Sequence, residues 1–95
     1  MRIVFRLFGQ LRSALENKAE VVVELDSEKT TILEAIEKLV IKHPELDDLL
    51  FSGKKIHSFY NIMINNRTIH HEELSTYFIE NKQTEISILP FVAGG

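Results

Sequence analysis

Cysteine is absent from the chain, tryptophan is absent, and only two prolines and four glycines occur in 95 residues. Without cysteine there is no disulfide, no thiolate nucleophile, no zinc–thiolate site and no dithiol redox motif. Neither sign of charge dominates: 11 Lys and Arg stand against 14 Asp and Glu, for a formal charge of -3. No basic stripe exists, which argues against nucleic acid as the main partner; a mildly acidic surface would suit a basic protein. No long apolar run is present either. The opening stretch Met1–Phe8 is apolar but short, and Arg6 interrupts it. It matches neither a signal peptide nor a membrane span, so a cytoplasmic protein without a membrane partner is expected.

What is present describes an ordinary soluble globule, with 44% hydrophobic and 26% charged residues. The length sets an expectation of one domain. Such a domain buries roughly two-thirds of its unfolded-chain surface, enough for one core without staples.

Along the chain, Ile3, Phe5 and Leu7 alternate with Arg2, Val4 and Arg6, the pattern of a strand with one wet face, and Gly9 breaks it. Leu11 and Leu15 share one face of a short helical turn or ordered loop over Gln10–Lys18. Glu20–Leu25 is a β-branched second strand ending at Asp26-Ser27. Thr31 then opens the strongest helix, with Glu34 completing a capping box. Ile32, Ala35, Ile36, Leu39 and Val40 fall on one stripe, bordered by Leu33. Glu34 and Lys38 form an i, i+4 pair on the wet side. Pro44 stops the helix, and His43 in its last turn reads as a rim residue.

Leu46, Leu49 and Leu50 suggest a second, short helical segment, and Ser52-Gly53-Lys54-Lys55 a solvated turn. Tyr60, Ile62 and Ile64 share one face of a strand over Phe59–Asn65. Asn65-Asn66-Arg67 reads as a tight turn, since Asn tolerates the left-handed conformation, and Thr68–His70 as the return strand. Glu72–Tyr77 suggests a single helical turn, Asn81-Lys82 another turn, and Thr84–Leu89 the closing strand. His70 and His71 point to opposite faces of a strand and lack a third ligand at credible spacing, so no metal site is expected; His57 reads as solvated. The order β-β-α-(short helix)-β-β-β predicts an α+β fold, one main helix across a mixed sheet of four to five strands. The first and last strands are candidates for a parallel pair at its centre.

The ending Pro90-Phe91-Val92-Ala93-Gly94-Gly95 has a character of its own. Gly lacks Cβ and reaches backbone angles closed to other residues, so a Gly-Gly end is a thin, pliable peptide that enters narrow slots and carries a carboxylate at its tip. A domain over 1–90 and a flexible tail over 91–95 are therefore expected. A frayed terminus is the ordinary alternative.

The chain resembles the β-grasp, ubiquitin-like sulfur carriers, the family that contains the small subunit of molybdopterin synthase and the thiamine-pathway sulfur carrier. The resemblance rests on Val4–Arg12, on Thr31–Pro44 with its His-Pro end, on Ile62–Arg67, and most specifically on Leu89–Gly95, which resembles a Pro-Pro-Val-Ala-Gly-Gly ending. Phe91 stands where that ending has its second proline, Asn66 where the turn has Gly, and Asn81-Lys82-Gln83 where an acidic Gly-Asp turn is usual. The resemblance implies that Gly95 is the reacting residue. Its carboxylate is adenylated by a ubiquitin-activating-type enzyme that uses ATP and Mg, then sulfurated by a persulfide donor protein to a thiocarboxylate. The sulfur passes to a pterin precursor in the large subunit of molybdopterin synthase. Ala93 and Gly94 would thread the partner's channel; Leu89, Pro90, Phe91 and Val92 would bind the partner. The carrier itself would bind no cofactor and no metal and hold no catalytic site. A protein modifier joined to lysines through Gly95, a thiamine-type carrier, and an interaction module with an idle tail are the alternatives.

Overall fold

The closing strand is the axis of the sheet. In the computed structural model, which describes residues 1–90, β1 is Arg2–Leu7, α1 Gln10–Ala14, β2 Glu20–Glu24, β3 Thr30–Thr31, α2 Ile32–Lys42, α3 Asp47–Leu50, β4 Phe51–Ser52, β5 Lys55–Ile56, β6 Tyr60–Ile64, β7 Arg67–Ile69, β8 Phe78–Ile79 and β9 Gln83–Pro90. Single 3-10 turns lie at Pro44–Leu46 and His71–Glu73. The main sheet runs β2-β1-β9-β6-β7. β9 pairs parallel with β1, from Arg2↔Gln83 to Leu7↔Ile88, and antiparallel with β6, from Tyr60↔Pro90 to Ile64↔Ile86. The first and last strands thus meet at the centre. β-grasp topology is the result: a mixed five-stranded sheet with α2 packed on one face.

Alternation decides which face α2 covers. Ile3, Phe5 and Leu7 of β1, Ile86 and Ile88 of β9, and Ile62 and Ile64 of β6 point inward and are buried. From the helix come Ile32, Ala35, Ile36 and Leu39, none of them exposed. Each such aliphatic side chain contributes about 1.5–3 kcal/mol through burial. Val40 lies only half-buried at the edge of the stripe. α1, with Leu11 fully buried, closes one end of the core.

Local chemistry starts and stops α2. The Glu34 amide donates to Thr31 Oγ1 at 3.1 Å. The second arm of the capping box differs from the expected one: the Thr31 hydroxyl donates to Glu34 Oε1 at 3.0 Å, instead of the backbone N–H doing so. Thr31 also belongs to β3, which pairs with β8, so its backbone serves a strand as well as a cap. Glu34 is thereby turned toward Thr31, and no Glu34–Lys38 ion pair forms among the described residues. At the other end the His43 amide donates to the Leu39 carbonyl, and Pro44 follows.

Two small ladders were not anticipated. β3 pairs β8 and β4 pairs β5. The latter closes a hairpin through Gly53 at φ +66°, where sequence pattern alone suggested a plain turn. Asn65 and Asn66 both have positive φ, the signature of a type I′ turn between β6 and β7. Asn65 ties this turn to β9: its amide donates to the Glu85 carbonyl at 3.0 Å, and its Oδ1 accepts from the Glu85 amide at 3.2 Å.

Candidate functional site

Because β9 is central, the chain leaves the sheet between two neighbours rather than from an edge. Leu89 and Pro90 form the root of the C-terminal segment. Phe91, Val92, Ala93, Gly94 and Gly95, the other residues expected to act, lie outside the described residues. Along β9, Thr84, Ile86 and Ile88 are buried, whereas Glu85, Ser87 and Leu89 lie half-buried on the opposite face. Leu89 therefore belongs to the outer face of the sheet and not to the core.

Extending the register one step past Leu7↔Ile88 sets Phe8 beside Leu89. Phe8 continues the outward phase of Arg2, Val4 and Arg6 and is 41% exposed. On the other flank, Phe59 precedes the Tyr60↔Pro90 pair and is 45% exposed. Its ring stacks on His57 with centroids 5.0 Å apart, so His57 is half-buried by an aromatic neighbour and not simply solvated. Two exposed phenylalanines thus flank the exit of the tail. Neither had been singled out as functional. The signal for both was available in the strand alternation, Phe8 one step past Leu7 and Phe59 one step before Tyr60.

Behind this apolar end, the outer face carries half-buried Val4, Val22 and Met63 and then turns charged. Arg6 bridges three strands: Nε lies 2.9 Å from Glu85 Oε1 and Nη1 lies 3.1 Å from Glu20 Oε1. The hydrogen bond to Glu85, then the charges of Glu85 and Glu20, raise the Arg6 pKa above its ordinary value. The guanidinium is exposed, so these ion pairs contribute little to stability.

Among the described residues no group of three His, Asp, Glu or Cys could hold an ion. His70 is exposed, while His71 is half-buried and donates from Nε2 to the Tyr60 carbonyl at 2.6 Å, capping the start of β6. Lys54 and Lys55 are exposed, as a solvated turn predicts; with His71, Leu33, Ile56 and Leu74 they line a shallow cleft of about 390 Å³. No helix among the described residues is long and apolar enough to cross a membrane. The candidate site is thus a surface around the end of β9.

The sequence model of the ThiS family matches residues 5–95. Among solved structures, small archaeal modifier protein 1 of Methanosarcina acetivorans is 30% identical, with a TM-score of 0.74 over 99% of this chain and 96% of that one. The SAMP1 crystal structure from Haloferax volcanii superposes with a TM-score of 0.80 over the whole of both chains at 22% identity. A Pyrococcus furiosus protein described as a candidate molybdopterin converting factor subunit 1 gives 0.64 at 17% identity, over 97% of this chain and 99% of that one. No curated protein sequence matches.

Proposed function

The chain belongs to the ThiS family of ubiquitin-like sulfur carriers, and from that premise we propose that it carries sulfur on Gly95 for molybdopterin biosynthesis, as the small subunit of molybdopterin synthase. A carboxylate is a poor electrophile, so it is activated first. A ubiquitin-activating-type partner joins the Gly95 carboxylate to the α-phosphate of ATP, with Mg, and pyrophosphate leaves. The terminal sulfur of a partner's persulfide displaces AMP. Cleavage of the resulting S–S bond by a thiol leaves the thiocarboxylate, whose sulfur passes to a pterin precursor in the large subunit. This chain supplies reach, a narrow cross-section and docking energy that places one atom in another protein's site. A cytoplasmic location suits that traffic.

The observation that supports this reading is the sequence ending Leu89–Gly95, whose first residues Leu89 and Pro90 close the central strand with exposed Phe8 and Phe59 on either flank. The absence of cysteine is compatible with it: the carrier has no thiol of its own to capture the activated acyl group. A second reading is favoured by the 30% identity to a small archaeal modifier protein. There the same activated Gly95 is attacked by a target lysine, forming an isopeptide bond.

Intact-mass spectrometry of the protein from its own cells, beside a Gly94-Gly95 deletion, tests both. A gain equal to replacing one oxygen by sulfur, absent from the deletion, is the expected result. Conjugates with other proteins in its place would put the modifier first; neither product would sink both readings.

A further inference from the structure

The tail root is pinned from both sides, and the two sides are tied to each other. Gly9 follows β1 and stands level with Pro90, one step beyond Phe8 and Leu89. Its φ of +59° and ψ of -133° belong to a region that glycine alone adopts readily. A Cβ there would meet Pro90 Cγ at 3.4 Å, an ordinary van der Waals contact, so the proline ring lies about one methyl group away from the Gly9 backbone. On the opposite side Pro90 is the cross-strand partner of Tyr60, which is only 1% exposed. Gln10, the residue after Gly9, sends its side-chain amide to the Tyr60 hydroxyl, Nε2 donating at 2.9 Å across 50 positions of sequence.

The topology gives that hydrogen bond its meaning. β9 runs between β1 and β6, so a bond from the residue after Gly9 to Tyr60 crosses the last residue of β9. Two strand spacings, roughly 10 Å, separate the walls it joins. Pro90 and Tyr60 lie in phase with the inward residues of their strands, so the bridge closes on the helix side. Proline adds its own restriction, a fixed φ and no backbone donor to slip into another register. His71 braces the far wall by donating to the Tyr60 carbonyl at 2.6 Å.

We infer that Gly9, Gln10 and Tyr60 form a clasp on Pro90 that sets the direction in which the C-terminal segment leaves the sheet, and that these are positioning residues for the loading of Gly95. The inference rests on the sulfur-carrier reading for its consequence but not for its geometry. A segment of five residues, 91–95, reaches at most about 17 Å when extended. Wobble at its base is carried to its tip, where misplacement by about 1 Å can cost up to about 100-fold in rate. A carrier docked through its outer face needs the tip delivered at a set angle from that face. The clasp supplies the angle, while Phe8, Leu89 and Phe59 supply the docking.

Tyr60→Phe removes the hydroxyl and keeps the buried ring; Gln10→Leu removes the donor from an exposed side chain. Gly9→Ala strains the turn and serves as a third variant. Two measurements apply to each. By 15N relaxation, the order parameter of the Leu89 amide should fall from about 0.85 toward about 0.6 while that of Ile86 stays near about 0.85. In ATP–pyrophosphate exchange with the adenylating enzyme from the same cells, kcat should fall about 10-fold, with KM for this chain unchanged within about twofold. Wild-type order at Leu89 together with wild-type kcat in Tyr60→Phe and Gln10→Leu would overturn the clasp, and so would equal loosening of Ile86 and Leu89, which signals general destabilisation. Absence of exchange with the wild-type chain would refute the carrier reading instead; the relaxation data would then decide the clasp alone.

Discussion

Thr84 offers the sharpest test of how this core is built. It lies near the start of β9, opposite Ile3 of β1, with its side chain on the inward face and 2% of its surface exposed. Its Oγ1 is the one buried side-chain polar atom without a hydrogen-bond partner among the described residues. A buried hydroxyl left unpaired costs about 1–3 kcal/mol. Thr84→Val replaces it with a methyl group, keeps the β-branch that suits a strand, and adds a little apolar burial. Slight overpacking offsets part of the gain. The expected net effect is a stabilisation of about 1 kcal/mol. Unfolding entropy for a chain of this length is about 0.2 kcal/mol/K, so the melting temperature should rise about 5 °C. Urea unfolding should show a higher midpoint with an unchanged slope. Thr84→Ser, which keeps the hydroxyl and removes the methyl, should destabilise by about 1 kcal/mol. A Thr84→Val protein less stable than wild type would show that the hydroxyl is satisfied, and the reasoning would fall.

Three further outcomes are expected. Thr31→Ala removes the acceptor of the Glu34 amide and should cost about 1 kcal/mol in chemical denaturation; unchanged stability would mean that the β3–β8 ladder alone holds the start of α2. Asn66, at φ +69°, occupies a position where glycine is unstrained, so Asn66→Gly should raise stability by about 0.5 kcal/mol, checked by calorimetry. Phe8→Ala and Phe91→Ala should each weaken binding to the activating enzyme or the large subunit by about 10–100-fold in Kd, with the circular dichroism spectrum and melting curve retained. Unchanged titration calorimetry for both would remove the apolar end from the docking surface.

Much of the fold was legible because its signals are local. Alternation in Arg2–Phe8 and Thr84–Leu89 marked the strands observed at Arg2–Leu7 and Gln83–Pro90. The apolar stripe and Thr31 cap marked α2 to within a residue at each end, since both depend on positions three or four apart. The missed ladders are two residues long on each strand, too short for a period-two pattern to register. The capping box was found but its second arm was misjudged. The Glu34 carboxylate accepts from the Thr31 hydroxyl instead.

By itself the amino-acid order determined the elements, their sequence along the chain, the turn chemistry at Asn65-Asn66 and the glycine ending that carries the family resemblance. Each of these is set by residues close together in the chain. Only the tertiary structure decided that β9 lies between β1 and β6, that Leu89 faces outward beside Phe8, and that Gln10 reaches Tyr60 across Pro90. Those contacts join residues far apart in the chain. Which distant strands pair depends on how the whole inward-facing set can be buried at once, and no local pattern holds that information.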